Sequence, residues 1–115
     1  MQQAFTPVAS AVQEKISEMV RRIVEHFHPE KIILFGSHAR GTAGPDSDVD
    51  LLVVMRFSGS QRAQRVAIRS VLSGMGIAKD VAVVTPAELE RYRDVVGTII
   101  RPALREGKVL YERQR

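Results

Sequence analysis

Two aspartates, Asp48 and Asp50, are the residues of this chain whose type and spacing best suit metal chemistry. Side chains alternate between the two faces of a β-strand, so these two carboxylates point the same way, roughly 7 Å apart along the strand. The pair Gly36-Ser37 precedes them by ten intervening residues. Magnesium in proteins is commonly held by one or two carboxylates together with substrate phosphates. The pattern therefore predicts a site that holds Mg²⁺ and the phosphates of a nucleotide.

Three further residues of the same stretch have suitable chemistry for phosphate binding. Gly36 lets the backbone approach a phosphate with no Cβ in the way. Ser37 can offer a backbone N–H and a hydroxyl group, and Arg40 can offer a planar fork of donors. We predict that Gly36, Ser37 and Arg40 are nucleotide-binding residues.

A third carboxylate, Asp80, lies near the start of an otherwise apolar segment. An ionised group beside a buried segment needs a partner, and a metal shared with Asp48 and Asp50 would provide one. The alternative is a strand-end carboxylate in water. With two metal ions, one activates the attacking oxygen and the other stabilises the leaving group. We expect Asp48, Asp50 and Asp80 to be both catalytic and metal-binding residues.

Other interpretations of these residues fail on spacing or composition. Asp46, Asp48 and Asp50 resemble the start of an EF-hand loop, but Leu51 and Phe57 occupy the positions where that loop needs glycine and glutamate. No Gly-Lys-Ser or Gly-Lys-Thr sequence is present, which excludes the Walker phosphate loop. The absence of cysteine excludes disulfides, zinc–thiolate sites and cysteine nucleophiles.

The elements that must position these residues follow from hydrophobic periodicity. Helices are predicted over 8–27 and 61–72, and from 86 onwards, with the last divided by Gly97 and Pro102 and begun by a capping box at Thr85 and Glu88. Strands are predicted over 31–35, 49–55, 78–85 and 109–111. We expect an α/β (α+β) fold in which a small mixed sheet of three or four strands has helices packed on one side.

Composition limits the classes of partner. The net charge of +4 is compatible with an anionic ligand or an acidic partner, and equally with a basic solvated surface. Arg62, Arg65 and Arg69 recur on one helical face and have the same two interpretations. Only 5% of residues are aromatic and none is Trp, so nucleic acid is not expected as the main partner.

Length and patterning give three further expectations. We expect residues 1–115 to form a single domain. No segment has the pattern of a signal peptide or the roughly 18 apolar residues of a membrane span, so no membrane association and a cytoplasmic location are expected.

The combination of Gly36-Ser37, ten residues and Asp48-Val49-Asp50 resembles the signature of the DNA polymerase β-type nucleotidyltransferase superfamily. The fuller strings at 36–41 and 47–51 resemble its small prokaryotic branch, the minimal nucleotidyltransferases. The resemblance implies a palm-like fold and Mg²⁺-dependent transfer of a nucleoside monophosphate, with ATP as substrate and pyrophosphate as product. It implies Asp48 and Asp50 as metal ligands, Asp80 as the base for the acceptor hydroxyl, and Gly36 and Ser37 as phosphate-binding residues.

The same resemblance implies a partner. Proteins of this branch act as antitoxins that adenylylate a tyrosine of a HEPN-domain RNase toxin. Only about 30 residues follow the third predicted strand, so we expect the acceptor surface to be open, or completed by a partner or by a second copy in a homo-oligomer. Two alternatives stay open: a binding module that neutralises its partner without catalysis, and a stand-alone enzyme that acts on a small molecule or an RNA end.

Overall fold

A computed structural model describes the backbone of residues 7–114 and the side chains of residues 11–114. The elements in chain order are α1 (Pro7–Phe27), β1 (Lys31–Phe35), α2 (Ser37–Arg40), β2 (Val49–Val54), α3 (Gln61–Val71), β3 (Lys79–Val84), α4 (Pro86–Arg91), α5 (Ile100–Glu106) and β4 (Lys108–Glu112). The predicted α/β fold is confirmed, and the predicted strands and first two helices agree with these bounds to within one or two residues. Within this range no helix is long and apolar enough to cross a membrane.

The four strands form one mixed sheet in the order β3-β2-β1-β4. Strand β1 runs antiparallel to both β2 and β4, whereas β2 and β3 are parallel. The end of β1 therefore lies beside the starts of β2 and β3. In the register of the sheet, Phe35 is opposite Asp50, and Asp50 is opposite Asp80. This edge of the sheet collects the residues that the sequence motif singled out.

Helices cover both faces of the sheet, which corrects the expectation that they pack on one side. On one face, α1 and α3 pack against the strands through Met19, Ile23, Ile32, Leu51, Val53, Ile68 and Val83. On the other face, α5 and side chains of α4 pack against Ile33, Leu52, Val54, Val84, Ile100 and Ala103. The reason is visible in the strands, because β1 and β2 are buried at successive positions and need cover on both faces.

The segment after β3 begins as predicted and then differs. Thr85 and Glu88 form a reciprocal capping box at the start of α4, with Pro86 at the first helical position. The helix ends at Arg91, and α5 begins only at Ile100. The expectation that Pro102 divides the helix is wrong: this proline lies in the first turn of α5, where a missing N–H removes no helical hydrogen bond.

The end of α5 is packed closely against β1 at Gly107. A Cβ atom at this position would lie 2.6 Å from Ile33 Cγ2 and 2.9 Å from the Leu34 carbonyl oxygen, and would overlap the Ala103 carbonyl oxygen. Glycine is therefore required at position 107 because a side chain has no space there. Its backbone conformation does not require glycine, because a φ of −81° is open to any residue. The contact fixes α5 over the same sheet face that carries Asp50.

Candidate active site

Asp50 and Asp80 lie side by side at the starts of two parallel strands. They are directly paired in the register of β2 and β3. The residues two positions further along, Leu52 and Ala82, contact the cluster under α5, so both aspartates belong to that face of the sheet. Asp48 precedes β2 by one residue and is exposed. The structure thus brings Asp50 and Asp80 together from positions thirty residues apart.

Gly36 lies directly over the carboxylate of Asp50. The residue follows the last position of β1 and has φ 78° and ψ −157°, a conformation that is essentially restricted to glycine. A Cβ atom here would overlap Asp50 Oδ2 and lie 3.1 Å from Asp50 Cγ. The close approach of backbone to carboxylate is therefore possible only because residue 36 has no side chain.

The residues after Gly36 form the short helix α2, which the sequence did not predict. Its first residue is Ser37, and Gly41 caps its end in the left-handed conformation with φ 78°. Four residues are too few to show helical periodicity, which explains the omission. Ser37 stands at the point where the chain turns from β1 into α2, and its role in phosphate binding stays a prediction.

A half-buried histidine connects α2 to the loop that leads to Asp48. His38 Nε2 lies 3.3 Å from the Ser47 carbonyl oxygen. The Gly44 N–H donates to Ser47 Oγ at 2.9 Å, which closes the tip of the loop. These two bonds fix the backbone immediately before Asp48. His38 was not among the site residues predicted from the sequence, and its position inside the motif was the only available signal.

The electrostatics of the site are dominated by its carboxylates. The pKa of Asp50 is raised above its ordinary value, first by burial and then by the negative charges of Asp80 and Asp48. The positive charges of His38 and Arg40 act in the opposite direction. A divalent cation bound beside Asp50 would relieve the unfavourable charge that the two neighbouring carboxylates impose on it.

Asp80 has a second neighbour that sequence reasoning did not anticipate. Arg69 Nη1 of α3 lies 3.9 Å from Asp80 Oδ1, and the Asp80 side chain is 72% exposed. Within residues 11–114, no three Asp, Glu, His or Cys side chains are arranged to hold one metal ion. Asp50 and Asp48 fit a magnesium site by donor type, and burial together with neighbouring negative charge raises the pKa of Asp50. Asp80 would have to turn from Arg69 to join them, and its role as third ligand stays a prediction.

Arg40 is engaged with the end of α5. Its Nη1 atom lies 3.4 Å from Glu106 Oε1, and both side chains are half exposed. No sequence pattern pointed to Glu106 as a partner. Arg40 is near enough to Asp50 for its positive charge to act against the rise in the pKa of that carboxyl group.

This arrangement of a glycine turn over paired carboxylates can be compared with known proteins. The sequence model of the nucleotidyltransferase domain family matches residues 14–110. The chain belongs to this family. The match begins within α1 and ends within β4, so the nucleotidyltransferase assignment covers most of the fold as well as the motif. No curated protein matches the chain in sequence.

Solved structures show the same fold as this nucleotidyltransferase. A structure described as that of a nucleotidyltransferase from Sulfolobus solfataricus has 19% identity and a TM-score of 0.66, with 98% of this chain and 93% of that chain covered. A variant of the MntA–HpeT toxin–antitoxin has 18% identity and a TM-score of 0.63, covering 85% and 73%. A toxin–antitoxin with AMP-PNP has 22% identity and a TM-score of 0.58, covering 89% and 74%. At these identities the likeness establishes the fold.

Proposed function

We propose that this nucleotidyltransferase transfers AMP from ATP to a hydroxyl group of a protein, namely a tyrosine of a HEPN-domain toxin, and thereby acts as a cytoplasmic antitoxin. The observation that carries the proposal is the close approach of the Gly36 backbone to Asp50, with Asp80 in register beside it. A glycine turn therefore lies directly against two paired carboxylates.

The comparisons support the choice of nucleotide and partner. Two of the similar folds are toxin–antitoxin structures, and one of these contains AMP-PNP. The other toxin–antitoxin structure carries two aspartate-to-glutamate substitutions two positions apart. Asp48 and Asp50 have the same spacing here. An antitoxin of this type, with ATP as substrate, fits both the family and the site.

The reaction assigns a separate task to each residue. Magnesium, when bound by Asp48 and Asp50, would neutralise the phosphate charge and align the α-phosphate. Gly36 and Ser37 would hold the phosphates by backbone and hydroxyl donors. Asp80 would accept the proton of the acceptor hydroxyl, whose oxygen forms the new bond to the α-phosphorus. The bond from that phosphorus to the bridging oxygen breaks, and pyrophosphate leaves with the electron pair.

The direct test is label transfer to the partner. The purified protein would be incubated with ATP labelled on the α-phosphate, Mg²⁺ and the HEPN-domain protein encoded by the adjacent gene. Removal of one metal-binding carboxylate removes the charge that stabilises the transition state, so Asp48→Asn and Asp50→Asn should each lower transfer by at least about 10²-fold. Transfer would be measured from radioactivity in the acceptor band.

Asp46→Asn is the matched control, because Asp46 is an exposed carboxylate of the preceding loop. It should transfer label at the rate of the wild-type protein. Equal labelling by wild type, Asp48→Asn and Asp50→Asn would contradict the proposal.

A non-catalytic binding module is the second candidate function. The ion pair between Arg69 and Asp80 favours it, because Asp80 would have to turn away from the guanidinium group, 3.9 Å from its Oδ1 atom, to serve as a base. In that case Asp48→Asn and Asp50→Asn would still protect cells from the partner toxin. Loss of protection with retained complex formation would exclude it.

A further inference from the structure

Asp48 is the proposed metal ligand whose orientation is not determined by packing. It precedes β2 by one residue and its side chain is exposed, whereas Asp50 lies within the strand. Planar peptide groups leave two soft dihedral angles at each residue, so the direction of the Asp48 side chain depends on the two peptide groups that flank it. The contacts that hold these two groups therefore decide where the Asp48 carboxylate can reach.

Each of the two peptide groups is held by a hydrogen bond. After Asp48, the Val49 N–H donates to the Ala78 carbonyl oxygen at 2.9 Å, which joins the start of β2 to the chain before β3. Before Asp48, the Ser47 carbonyl oxygen lies 3.3 Å from His38 Nε2. The first bond joins two backbone groups and belongs to the sheet. The second depends on a side chain, so it can be removed by substitution.

The contact between His38 and Ser47 defines the state of the histidine ring and links two parts of the site. A carbonyl oxygen only accepts hydrogen bonds, so Nε2 of His38 carries a proton in this arrangement. His38 is half-buried and lies in α2, the helix that begins at the Gly36 turn. One side chain therefore connects the turn that we propose to bind phosphate with the backbone of a proposed metal ligand.

The tip of the loop before Asp48 is closed by hydrogen bonds within the loop. The Gly44 N–H donates to Ser47 Oγ at 2.9 Å, and the Ser47 N–H donates to the Gly44 carbonyl oxygen at 3.2 Å. Residues 41–46 are all exposed, so packing adds little to these bonds. His38 attaches the end of this loop to α2.

We propose that His38 is a positioning residue for the metal site. By donating a hydrogen bond to the Ser47 carbonyl oxygen, it fixes the peptide group before Asp48 and so holds that carboxylate in the orientation that binds a divalent cation. The inference rests on the proposed function, because that function assigns Asp48 as a metal ligand.

The experiment measures binding of Mn²⁺ to the full-length protein by electron paramagnetic resonance, without nucleotide or acceptor. Carboxylate oxygens suit Mn²⁺ as they suit Mg²⁺. His38→Phe keeps a ring but removes the donor, and a cavity of about 470 Å³ beside His38 leaves room for it. His38→Gln removes the ring but keeps an N–H donor.

We expect the donor, and not the ring, to decide the affinity. Loss of a group that orients a metal ligand typically costs 10–100-fold in metal affinity, so His38→Phe should bind Mn²⁺ about tenfold more weakly than the wild type. His38→Gln should bind it with close to the wild-type affinity. Asp48→Asn is measured alongside, to define the binding that does not depend on Asp48.

His26→Phe is the matched control. His26 Nδ1 lies 2.9 Å from the Arg22 carbonyl oxygen on an exposed part of α1, so this variant also removes a contact between a histidine and a carbonyl group. It should bind Mn²⁺ as the wild type does. All variants are compared well below their Tm, so that a loss of stability is not recorded as a loss of affinity.

A second readout does not depend on metal. Nitrogen–proton correlation spectra of the imidazole rings would be recorded at about pH 8, where an ordinary imidazole is neutral. His38 should be entirely in the Nε2–H tautomer, because only that neutral form donates to the Ser47 carbonyl oxygen. The Nδ1–H tautomer, or a mixture of the two, would overturn the proposal.

The outcomes separate this inference from the proposed function. Equal Mn²⁺ affinities of the wild type and His38→Phe would overturn the positioning role and leave the proposed reaction intact. An equal loss of affinity in His38→Phe and His38→Gln would also overturn it, because the ring rather than its donor would then matter. If Asp48→Asn binds Mn²⁺ as tightly as the wild type, the proposed metal site fails, and the positioning role fails with it.

Discussion

At the residue scale, the site is defined by a carboxylate that is costly to ionise. Burial and the charges of Asp80 and Asp48 raise the pKa of Asp50 in the folded protein. A raised pKa means that the folded state holds the proton more tightly than the unfolded chain. Stability from this group is therefore present at low pH, and is lost as pH rises from the ordinary value of 3.8 through the raised folded value. At neutral pH the metal-free site is under electrostatic strain.

Removal of the Asp50 charge should relieve that strain. We predict that Asp50→Asn raises the Tm of the metal-free protein at neutral pH by a few degrees, since a change of 1 kcal/mol shifts Tm by about 4–8 °C in a domain of this size class. The gain should disappear below about pH 4, where the wild-type carboxyl is also neutral. The difference in Tm between the variant and the wild type would be measured by thermal unfolding in EDTA, from neutral pH to below about pH 4.

Ligand binding should reverse the order of stability. Saturating Mg²⁺ and ATP stabilise the native state by mass action, about 2.7 kcal/mol at a hundredfold excess over Kd. The Tm of the wild type should therefore rise when Mg²⁺ and ATP are added, whereas the Tm of Asp50→Asn should rise little. Asp46→Asn, with an exposed loop carboxylate, should behave as the wild type in both conditions. A wild-type Tm unmoved by Mg²⁺ with ATP would show that the carboxylates do not meet at a metal.

At the residue scale, the apolar runs of the sequence predicted the strands that carry Asp50 and Asp80. Asp48 precedes β2, so strand alternation does not fix its orientation relative to Asp50. The parallel pairing that sets Asp50 beside Asp80 was not predicted from the sequence. The contacts of Arg69 with Asp80 and of Glu106 with Arg40 were not predictable, because they depend on helices packed from opposite faces of the sheet.

At the element scale, the short helix α2 lies between two glycines, and the first of these forms the turn that we propose to bind phosphate. Gly36 and Gly41 both have φ 78°, but they differ in surroundings. A Cβ at Gly36 would overlap Asp50, whereas a Cβ at Gly41 meets nothing within 4 Å. Gly41 also lies in the left-handed helical region, which other residues occupy at moderate cost.

This contrast gives a matched pair of substitutions. Gly41→Ala should cost about 1–2 kcal/mol of unfolding free energy and leave ATP affinity unchanged. Gly36→Ala should cost more and should weaken Mg·ATP binding at least about tenfold, because the turn or the Asp50 carboxylate must move. Urea unfolding and titration calorimetry measure the two quantities. Equal ATP affinities in the two variants would argue against a nucleotide at the Gly36 turn.

Periodicity predicted the long elements well, because each has a continuous apolar stripe or a buried run. It failed at α2, which is a single turn, and after Arg91, where Tyr92 to Ile99 keep helical spacing without forming a helix. Gly97, with φ 95°, breaks the backbone there. The prediction that helices pack on one side of the sheet was wrong. The sequence pattern alone does not reveal that residues on both faces of a strand, such as Ile32 and Ile33, are equally buried.

At the scale of the whole molecule, the position of the aspartates relative to the cavities bears on how an acceptor would approach them. Cavities of about 290, 470 and 200 Å³ are lined by other residues than Asp48, Asp50 and Asp80. Asp50 and Asp80 lie at the end of the sheet where Gly36 follows β1, and Asp48 immediately precedes β2. A partner that docks over this edge would exclude water from the reacting atoms, which strengthens every charge interaction in the site.

The measurement that tests the central claim most directly compares two labels on ATP. Nucleotidyl transfer moves the α-phosphorus to the acceptor and releases the β- and γ-phosphates together as pyrophosphate. With the HEPN-domain partner and Mg²⁺, α-labelled ATP should label the acceptor, with one pyrophosphate released for each AMP bound, and γ-labelled ATP should leave it unlabelled. Acceptor labelling from γ-labelled ATP, or from neither nucleotide under conditions where ATP is bound, would contradict the account.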